Sequence, residues 1–313
     1  MCAIFGLIDY ERVFSAHQRE IILKVLSEEC EVRGTDATGF AFNSGGKLKI
    51  FKRPFPAHEV SLNLRDDANV ILGHTRMATQ GDKQKNYNNH PFFGNAEAKF
   101  ALAHNGILYN ENLIRHDMAI PDSHIETDSY IAVQILEKMG ELSEKSLTEM
   151  AEKVIGSFVF TILDEDNNSY FIKGDNPLAL YHFEAGFYIY ASTDLILEKA
   201  LHVLGLSKYL HKEIFSNNGD ILKIDSAGKL TKSAFTPGLA YSLNWHDDYY
   251  MDAFCYHRLM QHADRCGIDW ENVELLFDYG YMPVEIEDLF GIPGAVEMAV
   301  QEVLHEFGYC GER

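Results

Sequence analysis

The stretch Cys2-Ala-Ile-Phe-Gly-Leu-Ile8 is an apolar, strand-like run that begins with a cysteine directly after Met1. If Met1 is removed, Cys2 carries both a thiol and a free α-amine. An α-amine has an ordinary pKa of about 7.7 to 8.0, so near neutral pH part of it is unprotonated and can accept the thiol proton. This stretch therefore indicates an N-terminal cysteine nucleophile. The alternative is that Cys2 is simply a small buried residue of a first strand.

Three polar clusters follow apolar runs further along the chain. They are Arg33-Gly-Thr-Asp-Ala-Thr-Gly39; Gly73-His-Thr-Arg-Met-Ala-Thr-Gln-Gly81, trailed by Asn89-His-Pro91; and His104-Asn-Gly-Ile107, paired with Glu126-Thr-Asp128. In this order and spacing behind Cys2, they resemble the glutaminase domain of class II glutamine amidotransferases, the N-terminal-nucleophile type found in glucosamine-6-phosphate synthase. The resemblance extends from Cys2 to about Lys223 and leaves the rest of the chain unexplained.

The resemblance implies a specific chemistry for glutamine. Cys2 would attack the side-chain amide carbon and release ammonia, leaving a γ-glutamyl thioester that water hydrolyses. The side-chain amide of Asn105 and the backbone N–H of Gly106 would stabilise the tetrahedral oxyanion. Arg76 would bind the substrate α-carboxylate through two parallel hydrogen bonds, and Asp128 would pair with the α-ammonium. These two charges would together select a free amino acid over a peptide-linked glutamine.

The resemblance also implies which residues line the glutamine pocket. Thr79 and His90 match pocket positions. Met77 follows the substrate arginine, where the synthase family usually has tryptophan, and Gln80 replaces a frequent histidine. Both departures lie on the segment expected to close over glutamine, so they leave the hydrolysis in place and put its coupling to a partner in question.

Four further matched positions are assigned a supporting role. Arg33 and Asp36 would lie beside the nucleophile and shape the active site, whereas the alternative is a helix-to-strand turn with a solvated ion pair. His74 and His104 are expected to orient loops from inside the fold. No metal or cofactor is expected, because Cys255, His257, His262 and Cys266 fit no standard zinc spacing.

The local patterns predict an α+β sandwich. Ser15 and Gln18 form a capping-box pattern before apolar residues at helical spacing, and Thr127 and Thr193 are predicted to cap two further helices. Strand-like runs include residues 158–163, 170–172, 178–181 and 187–191, separated by short polar turns. Closely spaced antiparallel strands with helices on the outer faces indicate an α+β fold, and the resemblance implies the four-layer αββα sandwich of N-terminal-nucleophile hydrolases.

Composition limits the partners and the location. The chain has 313 residues, of which 46% are apolar and 24% charged, and its net charge is −20. Such an acidic surface repels nucleic acid, so no nucleic-acid partner is expected. No apolar run reaches the roughly 18 residues needed to span a bilayer, and no membrane association is expected. Five cysteines at irregular spacing indicate a reducing interior, which favours the cytoplasm.

The C-terminal part is predicted to be a separate helical module. After the Thr236-Pro-Gly238 break, residues 239–313 contain fifteen Asp plus Glu against three Lys plus Arg. The sequence therefore predicts an amidotransferase domain over 1–238 and an acidic helical module over 239–313. About 75 residues are few for an ammonia-accepting synthase domain.

Three functions remain open at this stage. The leading hypothesis is a glutaminase subunit that passes ammonia to a separate synthase, with the acidic module as the docking element. A second is a self-sufficient amidohydrolase acting on glutamine or another γ-glutamyl compound. A third is a silent binding or scaffold module, which applies if Met1 is retained.

Overall fold

The computed structural model describes residues 2–237 and, in the C-terminal part, residues 259, 262–263, 265–279, 281, 286, 289–290, 292 and 294–306. The chain divides into two compact units, Met1–Leu243 and Asn244–Arg313. The transition between them falls outside the described residues, so the boundary at 238/239 stays a prediction.

Two antiparallel sheets form the first unit. The described strands are β1 Ala3–Ile8, β2 Ala37–Asn43, β3 Leu48–Arg53, β4 Val70–Arg76, β5 Phe92–Asn95, β6 Lys99–Leu108, β7 Gly156–Asp164, β8 Ser169–Lys173, β9 Ala179–Phe183, β10 Phe187–Ala191, β11 His211–Glu213, β12 Asp220–Ile224 and β13 Leu230–Ala234. One sheet has the order β11-β9-β10-β1-β4-β2-β3, and the other has the order β13-β12-β8-β7-β6-β5. Strand β1 is therefore central in its sheet, between β10 and β4.

Helices cover the outer faces of both sheets. The described helices are α1 Ala16–Glu29, α2 Glu111–Asp117, α3 Tyr130–Met139, α4 Glu144–Lys153, α5 Asp194–Val203, α6 Trp270–Tyr279 and α7 Ala295–Glu306. Strand β1 shows how the layers form, because alternate side chains point to opposite faces of a strand. Phe5 and Leu7 pack with α1 and α5, whereas Ile4 and Ile8 pack between the two sheets. Helices α3 and α4 cover the second sheet, which completes the predicted αββα sandwich.

The local predictions for helix starts are mostly confirmed. Ser15 caps α1 in a complete capping box with Gln18, and the Thr193 hydroxyl caps α5. The predicted cap at Thr127 is wrong: α3 begins at Tyr130, with Ser129 at its N-cap position. The reason is that the preceding Asp128 is buried and accepts a hydrogen bond from the Leu108 backbone N–H, which holds this segment against β6 before the helix begins.

The second unit is helical in its described part, as predicted. Its core includes Leu259, Val273, Leu276, Val296 and Val303 from α6, α7 and their surroundings. Most of the helix expected over residues 251–263 lies outside the described residues, as do Cys255 and His257. Within the described part of the chain, no helix is long and apolar enough to cross a membrane.

Candidate active site

Cys2 lies at the start of the central strand β1, where it is half-buried. Its thiol donates a hydrogen bond to the Met77 carbonyl, with Sγ 3.5 Å from the oxygen. Burial raises the pKa of the Cys2 thiol above its ordinary value, although an interaction with the Met77 backbone and the Arg76 charge oppose the shift. The thiol is therefore neutral near pH 7, and nucleophilic attack by Cys2 requires a base.

Arg33 connects Cys2 to Asn105. Its Nε donates to the Cys2 carbonyl at 2.8 Å, and its Nη2 donates to Asn105 Oδ1 at 3.5 Å. A guanidinium only donates hydrogen bonds, so the oxygen of the Asn105 amide faces Arg33 and the Nδ2 group faces away. Asn105 Nδ2 is buried and has no hydrogen-bond partner. The site thus contains an oriented donor whose acceptor is missing.

Because Gly106 has no side chain, its backbone approaches Ser157 and His104 more closely than that of any other residue could. Its φ is +148°, and an added Cβ would lie 1.8 Å from the Ser157 carbonyl oxygen and 2.7 Å from His104 Nε2. Gly106 pairs with Phe158 of β7 and also lines a pocket that contains Cys2. The backbone at Asn105–Gly106 therefore borders the pocket at a position where any side chain would collide.

Arg76 ends strand β4 and is almost fully buried. Its Nη1 donates to Asn89 Oδ1 at 2.7 Å, and its Nη2 donates to the Gly81 carbonyl at 3.1 Å and to the Gln80 carbonyl. Strand β2 pairs with β4 so that Arg76 lies opposite Ala37, directly after the Arg33–Asp36 turn. The chain after β4 therefore wraps around the guanidinium and holds it at the pocket.

Two carboxylates hold the segment of residues 77–89 in place. Asp36 accepts the Ala78 backbone N–H at 2.8 Å and pairs with Lys83 at 2.5 Å. Burial alone would raise the pKa of Asp36, but the hydrogen bonds from Lys83 and Ala78 lower it below its usual range. Glu126 pairs with Lys85, which lowers the Glu126 pKa to about 2. Both carboxylates stay ionised near neutral pH.

Asp128 provides the negative charge of the pocket. Its Oδ2 accepts the Leu108 backbone N–H at 2.6 Å, and its Oδ1 lies 3.3 Å from the Ser129 hydroxyl. Burial raises the pKa of Asp128, while the backbone hydrogen bonds from Leu108 and Ser129 and the Arg76 charge favour the carboxylate. Arg76 and Asp128 are the two charged side chains that line the pocket, in the part of the chain that the structure describes.

Three histidines pack together behind and beside the pocket. Burial lowers the pKa of His74 to about 3 and that of His104 to about 4, so both are neutral near pH 7. His74 Nε2 donates to the His104 carbonyl at 3.0 Å. His104 Nε2 donates to the Ser157 carbonyl, so its Nδ1 accepts from the Ser129 hydroxyl at 2.7 Å.

His90 differs from these two histidines because it lines the pocket without a partner. It is 4% exposed, it packs against His74 and Phe92, and neither ring nitrogen has a hydrogen bond. Burial lowers the pKa of His90 well below its ordinary value, so the ring is neutral. One N–H and one lone pair of His90 are therefore available to a polar group in the pocket.

Most of the predicted site residues line one pocket. Its lining consists of Cys2, Arg76, Met77, Thr79, Gln80, His90, His104, Gly106, Thr127, Asp128 and Ser129. Arg33, Asp36, His74 and Asn105 are not in the lining. Arg33 and His74 hydrogen-bond to the lining residues Cys2 and His104. Asp36 accepts from the backbone of Ala78, and Asn105 directly precedes Gly106 in the chain. Sequence reasoning missed Ser129 and assigned Thr127 to a helix cap; their position beside Asp128 in the chain was the available signal.

Lys52 is a further polar contact that the sequence did not reveal. Its ammonium donates to the Asn89 carbonyl at 2.6 Å and to the Pro91 carbonyl at 3.1 Å, and it lies 5.2 Å from the centre of the Phe92 ring. Burial, together with the nearby Arg76 charge, lowers the Lys52 pKa to about 8. Lys52 therefore holds the backbone of the turn that carries both Asn89 and His90.

Comparisons with known proteins agree with this geometry. Residues 74–199 match a family model described as a glutamine amidotransferase domain. The glutamine–fructose-6-phosphate aminotransferase (isomerizing) of Staphylococcus epidermidis is 30% identical over 235 residues, which cover 72% of this chain and 36% of that protein. The enzyme of the same name from Geobacillus kaustophilus is 31% identical over 200 residues, covering 61% and 32%. The chain therefore spans about a third of the length of these relatives.

Solved structures share the fold. The glutamine phosphoribosylpyrophosphate amidotransferase from B. subtilis, complexed with ADP and GMP, superposes with a TM-score of 0.58 at 20% identity, over 75% of this chain and 49% of that one. The layered sheets, with Cys2 at the start of the central strand, define an N-terminal-nucleophile type of sandwich. Within that class, the chain carries a class II glutamine amidotransferase domain.

Proposed function

We propose that this chain is a glutaminase subunit, which hydrolyses L-glutamine to glutamate and ammonia through a γ-glutamyl thioester on Cys2 and passes the ammonia to a separate synthase. The observation that carries the proposal is the pocket itself. It brings Cys2 together with one guanidinium, Arg76, and one carboxylate, Asp128. Behind it, Asn105 holds a buried amide donor without an acceptor.

The pocket charges match the α-carbon end of glutamine. A free amino acid carries a carboxylate and an ammonium on one carbon, and each needs an opposite charge when it leaves water. Arg76 would bind the carboxylate and Asp128 the ammonium, while Thr79 and His90 would contribute polar contacts. Met77 covers the thiol side of the pocket, where its carbonyl accepts the Cys2 hydrogen bond.

The thiol chemistry then follows from the raised pKa of Cys2. After removal of Met1, the α-amine of Cys2 accepts the thiol proton, and the sulfur bonds to the amide carbon of glutamine. Asn105 Nδ2 and the Gly106 N–H stabilise the oxyanion. The α-ammonium returns a proton to the leaving nitrogen as the C–N bond breaks, which gives ammonia and the thioester. Water then adds to the thioester carbon and gives a proton to the α-amine. The C–S bond breaks, the α-ammonium returns that proton to the sulfur, and glutamate is released.

The acceptor of the ammonia is proposed to be a separate protein. Two relatives are named as glutamine–fructose-6-phosphate aminotransferases, and this chain spans about a third of their length. Outside the amidotransferase domain, the 313 residues contain a small acidic helical unit, which we propose as the docking element. Copurification from the native host with a synthase would support this assignment, and a solitary protein with unregulated glutaminase activity would contradict it.

A self-sufficient γ-glutamyl amidohydrolase is the second candidate. It is favoured by Met77, whose side chain is 51% exposed at the pocket, and by Gln80, both of which replace the usual aromatic residues of the closing segment. The ratio of kcat/KM for glutamine to that for γ-glutamyl peptides separates the two. Strong preference for free glutamine supports the amidotransferase subunit, and preference for a peptide supports the amidohydrolase.

Retention of Met1, measured by intact mass on protein from the native host, would favour a silent binding module.

The pH dependence of glutamine hydrolysis tests the identity of the base. We expect kcat/KM to fall about tenfold per pH unit below about pH 7.7, because only the unprotonated α-amine can accept the thiol proton. The raised pKa of Cys2 keeps the thiol protonated in this range, and the lowered pKa values of the histidines keep them neutral above about pH 5. Steady-state kinetics from pH 5.5 to 8.5 measure this fall in kcat/KM. A flat profile down to pH 5.5 would exclude the α-amine as the base.

The Lys52→Met variant tests whether the Lys52 side chain helps to hold Arg76 in position at the pocket. We expect the KM for glutamine to rise about tenfold with kcat changed less than about threefold, because a charged hydrogen bond that positions Asn89 is worth about 1.5 to 3 kcal/mol. Lys52→Arg should bring the KM for glutamine most of the way back to the wild-type value, since arginine keeps a cationic donor. Lys49→Met, on the exposed face of the same strand, is the matched control. A loss confined to kcat would contradict a positioning role in substrate binding.

A further inference from the structure

Thr127 contributes a buried hydroxyl to the pocket that no group of the protein satisfies. The residue is 5% exposed and lines the pocket, and its Oγ1 has no hydrogen-bond partner. A buried hydroxyl without a partner is destabilising unless a ligand supplies the missing hydrogen bond. The neighbouring Ser129 hydroxyl, in contrast, donates a hydrogen bond to His104 Nδ1 at 2.7 Å. Thr127 is therefore a pocket-lining residue whose hydroxyl has no hydrogen-bond partner among the described residues.

The charges of the pocket indicate which part of a ligand would bind to this hydroxyl. Arg76 and Asp128 mark a cationic and an anionic side of the lining, and Thr127 directly precedes Asp128 in the chain. A ligand ammonium has three N–H donors and therefore needs three acceptors. Asp128 already accepts the backbone N–H groups of Leu108 and Ser129, so about two of its roughly four acceptor positions remain for a bound ammonium.

We infer that Thr127 is a further substrate-binding residue, whose hydroxyl oxygen accepts a hydrogen bond from the α-ammonium of an L-α-amino acid beside the Asp128 carboxylate. The inference rests on the proposed function, because it takes glutamine or its product glutamate as the ligand. Thr127 thereby selects for a free α-ammonium, whereas the Arg76 guanidinium selects for the α-carboxylate.

Binding of two small dicarboxylates tests this assignment. L-Glutamate carries the α-ammonium, and glutarate has the same chain without it. Isothermal titration calorimetry would measure both ligands on the wild-type chain and on Thr127→Val, which removes the hydroxyl and keeps the volume. Thr127→Ser keeps the hydroxyl. Thr148→Val, half-buried on α4, is the matched control for the same substitution elsewhere.

We expect Thr127→Val to weaken L-glutamate binding about tenfold and to change glutarate binding less than twofold, with Thr127→Ser close to wild type. An equal loss for both ligands, no loss for either, or no binding of either ligand to the wild-type chain would overturn the assignment. Thermal unfolding of each variant checks that the fold is kept. Glutaminase activity is assayed separately, so a wild-type chain that binds L-glutamate but releases no ammonia would contradict the proposed function and leave the role of Thr127 standing.

Discussion

Cys2→Ala is expected to lower glutamine hydrolysis by at least about a thousandfold, to the background rate of the assay. The substitution removes the sulfur that bonds to the amide carbon, so no thioester forms. Alanine is smaller than cysteine and Cys2 precedes the first residue of β1, so the sheet keeps its pairing with β4 and β10. The loss would therefore report on chemistry and not on folding.

A covalent probe makes this prediction sharper. Intact mass, measured before and after incubation with a diazo-ketone analogue of glutamine, should show one adduct on the wild-type chain and none on Cys2→Ala. Cys266→Ala removes an exposed thiol and is the matched control, which should keep both the adduct and the activity. The same spectrum shows whether Met1 is absent. An adduct that persists in Cys2→Ala would contradict the assignment of the nucleophile.

Asn105→Ala is expected to lower kcat by about a hundredfold to a thousandfold, with the KM for glutamine changed only a few-fold. Asn105 Nδ2 is turned away from Arg33 and has no acceptor within the protein, so its contribution appears when the oxyanion forms. Such a donor acts more strongly on the transition state than on the bound substrate. Kinetics at saturating and at limiting glutamine separate the two parameters.

Asn105→Asp provides a second test of the same group. It keeps the shape of the side chain and an oxygen for Arg33 but replaces the free donor by an acceptor, so we expect a loss of kcat at least as large as that of Asn105→Ala. Asn95→Asp, at an exposed position of β5, is the matched control and should leave the rate unchanged. A rise in KM without a loss of kcat would place Asn105 in substrate binding instead of oxyanion stabilisation.

The sequence predicted the fold well where the signal was local. The capping box at Ser15 and Gln18 predicted the start of α1, and the continuous apolar run of β1 follows from one face packing on helices and the other on the second sheet. The predicted helix cap at Thr127 was wrong because the Asp128 side chain, two positions before α3, accepts a hydrogen bond from the backbone of β6. A helix-cap rule based on residue spacing considers only neighbours in the chain, so it could not predict this contact.

The sequence motifs predicted part of the candidate site, namely the motif residues that meet at one pocket. Arg76, Gly106 and Asp128 line the same pocket because β4, β6 and the start of α3 converge there. Lys52 was not predictable, since its partners are 37 and 39 residues away and lie in a turn whose position depends on sheet pairing. Long-range register is set by packing across the whole sheet, and no single segment encodes it.

The central position of β1 also fixes the order of events during synthesis. The Ile4 backbone N–H donates to the Ser192 hydroxyl at 2.9 Å, across 188 residues of chain, and β10 forms one flank of β1. At about 5 to 20 residues per second, the ribosome needs roughly ten to forty seconds to supply that flank. The residues of β1 must therefore wait for those of β10 before this pairing can form. Incomplete chains consequently expose Cys2 without the sheet that partly buries it in the folded unit.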